Sequence, residues 1–239
     1  MNNLLADVAL FSPQHLWILL GCFSVGAWFI LDAREASDED KAKITRFLAI
    51  LLLWSYPVSF FMRYMMDPAT PWQERLPLHM CNIIPYAAAI ALLTRCPYLS
   101  ALTYVMGTRV GIQALFTPVL NSEFPSPLFF EFFISHALIV LAAIYLPAVL
   151  GWTPRPRDYL KAFFFGFLYM IAMLAVNPLL GTNYGFVMQA PPGGSILDLF
   201  GPWPWYLLGL LLPAFAGMWL LTLPFKIKNK KAIPDRDCL

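Results

Sequence analysis

Two imidazoles sit where water should be scarce. His79 lies in "LPLHMCNI" (Leu76 to Ile83) and His136 in "FFISHALIVLAAIY" (Phe132 to Tyr145), and the chain has only three histidines. A neutral imidazole, with an ordinary pKa of about 6.5, can take or give a proton near neutral pH. Cys81 adds a thiol two residues from His79. Side chains two apart point to different sides of a helix, so His79 and Cys81 cannot pair on one helix. His79, Asn82 and Tyr86 instead share a face, as do Arg109, Gln113 and Thr117, and Ser55, Ser59 and Arg63. An arginine as deep as Arg109 costs about 3 kcal/mol on insertion scales, so its donors must be met inside the protein.

The elements that carry these groups follow from composition. Hydrophobic residues make up 59% of the 239 and charged residues 13%. A soluble domain would carry about a quarter charged residues, so a membrane class is indicated. The net charge of +2 gives no footing for nucleic acid, and no Gly-rich phosphate loop is present. Cys22, Cys81, Cys96 and Cys238 are spaced like neither a disulfide scaffold nor a zinc site, so no metal and no cofactor is expected. The first dozen residues hold Asp7 and no basic residue, unlike the start of a signal peptide.

A crossing needs about 20 mostly apolar residues. Seven stretches qualify, near 14–32, 45–64, 77–95, 98–119, 128–149, 159–179 and 204–224. The expected fold is therefore all-α: a polytopic membrane protein with seven transmembrane helices in one domain, ending in a basic tail over 225–239. Thirteen basic residues fall on one side of these spans and only Arg63 and Arg75 on the other. Basic loops stay cytoplasmic, so the N-terminus is expected outside and the tail inside. Pro57, Pro85 and Pro213 fall within spans and should kink them.

This topology sets depth. His136 lies about 12 Å below the outer surface at 1.5 Å per residue, with Glu131 nearer the surface on a different face. His79, Asn82, Arg109, Gln113 and His136 are then expected in one outward-facing pocket between the third, fourth and fifth spans. Asn183, Tyr184 and Asp198 lie in the long Gly- and Pro-rich connection beside it. Trp203, Trp205 and Tyr206 in "GPWPWYLL" read as an interfacial aromatic belt, while the preceding glycines would let the connection fold over the pocket as a lid.

"LPLHMCNI", "GIQALFTP", "FFISHALIVLAAIY", "GTNYGF" and "SILDLFGPWPWYLL" occur in an order that resembles the YwaF-like family of bacterial integral membrane proteins. That family is itself similar to the animal Transmembrane protein 164. The resemblance implies a seven-helix protein of the bacterial inner membrane and, through the animal relative, acyl transfer onto lysophospholipids. More distantly it is similar to the androgen-induced intramembrane lipid hydrolases, which pair a hydroxyl nucleophile with a histidine. His79 and His136 are the positions it carries over. Asn82 and Val119 stand where the family pattern has acidic residues, which weakens any scheme that orients the histidines with carboxylates.

Two readings follow. In the first, the pocket performs lipid acyl transfer or ester hydrolysis. His136 or His79 is then the base, Cys81 or a substrate hydroxyl the nucleophile, and Asn82, Arg109, Gln113, Asn183 and Tyr184 bind the substrate. In the second, the same polar groups hold a lipid or anionic small molecule, or transport it, without chemistry. Membrane lipids are the expected partners in both.

Overall fold

The computed structural model describes residues 11–120, 122, 124–191 and 199–226. The tail from 227, with Cys238, and the stretch 192–198, with Asp198, lie outside the described residues. Every regular element among the described residues is helical.

Helix α1 (Pro13–Glu35) opens with proline at its first position, after Ser12, whose hydroxyl accepts from the His15 amide at 3.3 Å. Helix α2 (Asp38–Met66) starts at Ser37, with Asp38, Glu39 and Asp40 facing the positive end of its dipole. Helix α3 (Met80–Thr94) ends at Arg95 in the left-handed conformation. Pro97–Leu102 forms α4, Thr103–Gly107 a π turn and Thr108–Phe116 α5, in one continuous run of helix. Pro127–Ala148 (α6), Asp158–Leu180 (α7) and Trp205–Lys226 (α8) complete the set. Gly181, at φ +67°, stops α7 as a left-handed cap.

Among the described residues, six helical stretches are long and apolar enough to cross a membrane: Pro13–Glu35, Asp38–Met66, Trp72–Thr94, Pro127–Ala148, Asp158–Leu180 and Trp205–Phe225. The fourth expected span differs. It ends at Phe116 rather than 119, and the π turn interrupts its α-helical ladder. Thr117 leaves the helix, and its hydroxyl donates to the Gln113 carbonyl at 2.7 Å, so the stripe expected to run through Thr117 stops one turn early. The third helix also starts later than expected, at Met80, which turns His79 into its N-cap residue. Pro57, Pro85 and Pro213 lie inside helices, as the spacing predicts.

Helix α3 is central, packing on α2, α4 and α6, while α6 also receives α1, α2 and α5. Small residues let these backbones approach: Ala33, Ala49, Ala88, Ala89 and Ala142 share one buried cluster with Leu48, Leu52 and Tyr145. Tyr145 and Thr45 exchange a hydroxyl hydrogen bond at 3.0 Å inside it. The third histidine, His15, bonds the Leu115 carbonyl through Nε2 at 2.8 Å and so ties α1 to α5.

Gly111 sets the distance between α5 and α6. A Cβ there would stand 2.6 Å from Val140 Cγ2 and 3.2 Å from the carbonyl oxygen of His136. Gly111→Val is expected to cost about 1–3 kcal/mol by overpacking, read as a lowered Tm in detergent. Gly21, with nothing near its Cβ position, is the control: Gly21→Ala should be neutral or stabilising.

Candidate functional site

The site begins at the segment leading into α3. Trp72–Arg75 forms a short 3-10 turn, Leu76 is extended, and His79 caps α3 through its backbone position alone, since its side chain caps nothing. Aromatic groups from α7 and the following loop hold this segment. Tyr184 Oη donates to the Gln73 carbonyl and accepts from the Leu76 amide at 3.0 Å. Tyr169 Oη donates to the Leu78 carbonyl at 2.8 Å. The Gly185 amide donates to His79 Nδ1 at 3.4 Å, and the His79 ring meets Tyr184 edge-on at 4.9 Å and Phe186 at 5.6 Å. Gly185 must be glycine twice over: its φ is +68°, and a Cβ would lie 2.9 Å from the Tyr169 ring.

The loop itself is folded by asparagines. Buried Asn177 donates to the Tyr184 carbonyl at 3.0 Å and accepts from Thr182 Oγ1 at 2.9 Å and the Tyr184 amide at 2.7 Å. Asn183 closes the next turn by bonding both backbone groups of Gln189 and the Met188 amide. Trp203 Nε1 donates to the Val187 carbonyl at 3.0 Å and Tyr206 Oη to the Phe186 carbonyl at 2.7 Å. Of the expected aromatic belt, only Trp205 is turned outward; Tyr206 is buried and Trp203 half-exposed, and both hold the loop. Burial raises the Tyr184 phenol above its ordinary pKa, which keeps it a neutral donor.

Between this loop, α2 and the start of α6 lies a cavity of about 640 Å³. Its wall includes Arg63, Arg75, His79, Glu131, Asn183 and Tyr184. The pocket expected between the third, fourth and fifth spans is thus displaced towards α2 and the end of α7. Arg109 and Gln113 do not line it: Gln113 is exposed, and the Arg109 guanidinium lies over Gly217 of α8, 1.8 Å from where a Cβ would stand. Depth along a helix was legible from spacing; the direction each face turns was not.

Cys81 and Asn82 occupy the first turn of α3, beside the cavity wall rather than in it. Cys81 is a free thiol whose Sγ–H faces Asn82 Oδ1 at 3.9 Å, while the Asn82 amide donates to the His79 carbonyl at 2.9 Å. His136 is buried on α6, its Nδ1 2.7 Å from the Phe132 carbonyl and its ring stacked 4.3 Å from Phe132, which does line the cavity. No hydrogen bond joins the thiol to either imidazole among the described residues. Cys22 is also free, whereas Cys96 is disulfide-bonded, a pairing that the spacing of the four cysteines does not announce.

One charge links these groups. Arg63, in the last turn of α2, interacts electrostatically with His79, Cys81, Glu131, His136 and Tyr184. Glu131, expected nearer the surface and apart from the histidines, lines the cavity, with the Ser59 and Ser135 hydroxyls facing its carboxylate. A carboxylate inside "PLFFEFFIS" was itself a signal, because an acid in an apolar span is costly and needs partners inside the protein. Arg75, from the connection before α3, is buried: its Nε bonds the Thr70 carbonyl at 3.0 Å and its Nη2 the Asp67 carbonyl, while Nη1 has no partner. Among the described residues no cluster of His, Cys, Asp and Glu is arranged to hold a metal.

A model of the TMEM164 family matches residues 10–222. The chain belongs to the TMEM164 family. With its six apolar helices it is a multi-pass membrane protein. The match bears out the Transmembrane protein 164 side of the resemblance and says nothing of the YwaF-like designation. No curated protein and no solved structure matches the chain.

The asparagine that folds the loop gives a direct test. Asn177→Leu keeps the volume but strands both backbone groups of Tyr184. It is expected to lose about 2–4 kcal/mol of stability, measured by thermal unfolding in micelles, with limited proteolysis cutting first within 181–191.

Proposed function

We propose that this protein transfers acyl chains between membrane lipids, with Cys81 as nucleophile and His136 as base. What supports this is the free Cys81 thiol in the first turn of α3, at a helix end that no side chain caps. The Asn82 and Ile83 amides bond the His79 carbonyl, which leaves the earlier amides of the turn to face a developing oxyanion. His136 takes the thiol proton as the sulfur attacks the ester carbonyl carbon, forming the C–S bond and moving the carbonyl electron pair onto oxygen. Collapse restores the carbonyl, breaks the ester C–O bond, and returns the proton to the departing lipid alkoxide. An acceptor hydroxyl, deprotonated by the same imidazole, then attacks the thioester and releases the thiol. With water as acceptor the cycle is ester hydrolysis.

In this reading the neighbouring cavity takes the ester and headgroup end of the lipid, with Asn183 and Tyr184 as binding groups beside His79. Asn82, Arg109 and Gln113 have no part in it, because none of them lines that cavity. Incubated with an alkyne-tagged phosphatidylcholine, the wild type is expected to acquire a hydroxylamine-sensitive acyl adduct at Cys81, seen by intact mass. Cys81→Ala should lose the adduct and at least 100-fold in transfer to lysophosphatidylethanolamine. Full turnover in Cys81→Ala would remove the thiol from the mechanism.

A second reading, binding of an anionic lipid or small molecule without chemistry, is favoured by Arg75, which lines the cavity while its Nη1 lacks a partner. Saturable lipid binding by the wild type with no adduct and no product would favour it.

The topology belongs to the same proposal. Pro97 to Phe116 is about 30 Å of helix at 1.5 Å per residue, enough for a seventh crossing. Seven crossings with the basic loops in the cytoplasm put the N-terminus and the cavity outside, in a bacterial inner membrane, with the tail inside. Alkaline phosphatase fused after Leu239 should then be inactive, and fused within the Asp67–Thr70 connection active. The opposite pattern would invert the assignment.

A further inference from the structure

The two histidines of the site are bonded through the same ring nitrogen to partners of opposite kind. At His136, Nδ1 lies 2.7 Å from the Phe132 carbonyl oxygen. A carbonyl can only accept, so the neutral ring carries its proton on Nδ1 and leaves the Nε2 lone pair free. At His79, Nδ1 receives the Gly185 amide at 3.4 Å. An amide N–H can only donate, so this ring carries its proton on Nε2.

We infer that the histidines have separate and non-exchangeable roles: His136 is the proton acceptor, and His79 is a fixed hydrogen-bond donor whose Nε2–H holds an anionic oxygen of the substrate. This rests on the acyl-transfer reading above. His79 faces the cavity, which is where an oxygen must be for that donor to reach it. Tyr184, Phe186 and Gly185 fix the ring from the loop side, and Gly185 is itself fixed by Tyr169. The loop therefore selects the tautomer of His79 as well as lining the cavity. His136 is oriented within its own helix and needs no loop.

In the transfer cycle His79 loses and gains no proton. Its Nε2–H strengthens its bond as the carbonyl oxygen becomes an oxyanion, and relaxes when the carbonyl re-forms. A glutamine can imitate this role, because its side-chain amide places an N–H near the position of Nε2, but glutamine cannot accept a proton as a base.

The test uses full-length protein, ¹⁵N-labelled at histidine, in lipid nanodiscs at mildly alkaline pH. Two-bond ¹H–¹⁵N spectra distinguish the tautomers, and His79→Gln and His136→Gln assign the signals. His136 is expected as the Nδ1–H form and His79 as the Nε2–H form; His79 found as Nδ1–H overturns the inference. Transfer from tagged phosphatidylcholine to lysophosphatidylethanolamine gives the second arm. His79→Gln should keep a tenth or more of wild-type turnover, while His79→Ala and His136→Gln each lose about 100-fold or more. Equal losses in His79→Gln and His136→Gln would overturn it. A wild type without turnover would sink acyl transfer but not the tautomers, which the spectra decide alone.

Discussion

The site depends on how the entrance to α3 is held. Between Gln73 and His79 the chain is not regular helix throughout, so its backbone groups need partners from elsewhere, and an apolar surrounding makes an unmet group costly. Tyr184, Tyr169 and Gly185 supply those partners from α7 and the loop beyond it. The same bonds that satisfy this backbone also fix where α3 begins. They thereby place Cys81 in the first turn of α3, where its own amide has no carbonyl of a preceding turn to bond, rather than deep in a helix where every amide is already used. Stability and chemistry draw on one set of contacts here.

That arrangement explains the asymmetry of the molecule. The half built from α1, α2, α3 and α6 is closed by small residues and leucines, with little polar content beyond Thr45 and Tyr145. The polar material gathers at the other end of α3, around the 181–191 loop, where asparagines fold the chain on itself and two aromatic side chains clamp it from the start of α8. Arg63 joins the two regions. It lies on the α2 face that also carries Ser59, and its charge reaches both histidines, the thiol and Glu131. A cation so placed raises the local preference for anions, whether a thiolate, an oxyanion or a headgroup phosphate.

Arg109 shows the converse. An arginine deep in the fourth helical stretch must have its donors met inside the protein, yet its guanidinium turns towards α8, where the lack of a side chain at Gly217 leaves it room. Insertion cost says that a buried charge needs a place, not that the place is a site. The π turn just before it adds a residue to the ladder and turns the following face by about 100° relative to a regular helix.

Six of the seven expected apolar helices, their approximate ends and the prolines within them were legible in the sequence, because crossing an apolar layer requires long unbroken stretches that leave a plain compositional trace. Helix boundaries at Ser12, Ser37 and Gly181 were written locally, in residues whose side chains or conformational freedom finish a helix. Tertiary structure alone decided which faces meet. It brought Glu131 and Arg63 to the histidines, sent Arg109 and Gln113 elsewhere, and gave the loop after α7 the task of holding α3. Spacing along a helix fixes height, whereas azimuth is set by packing against neighbours distant in the chain, and no local pattern records it.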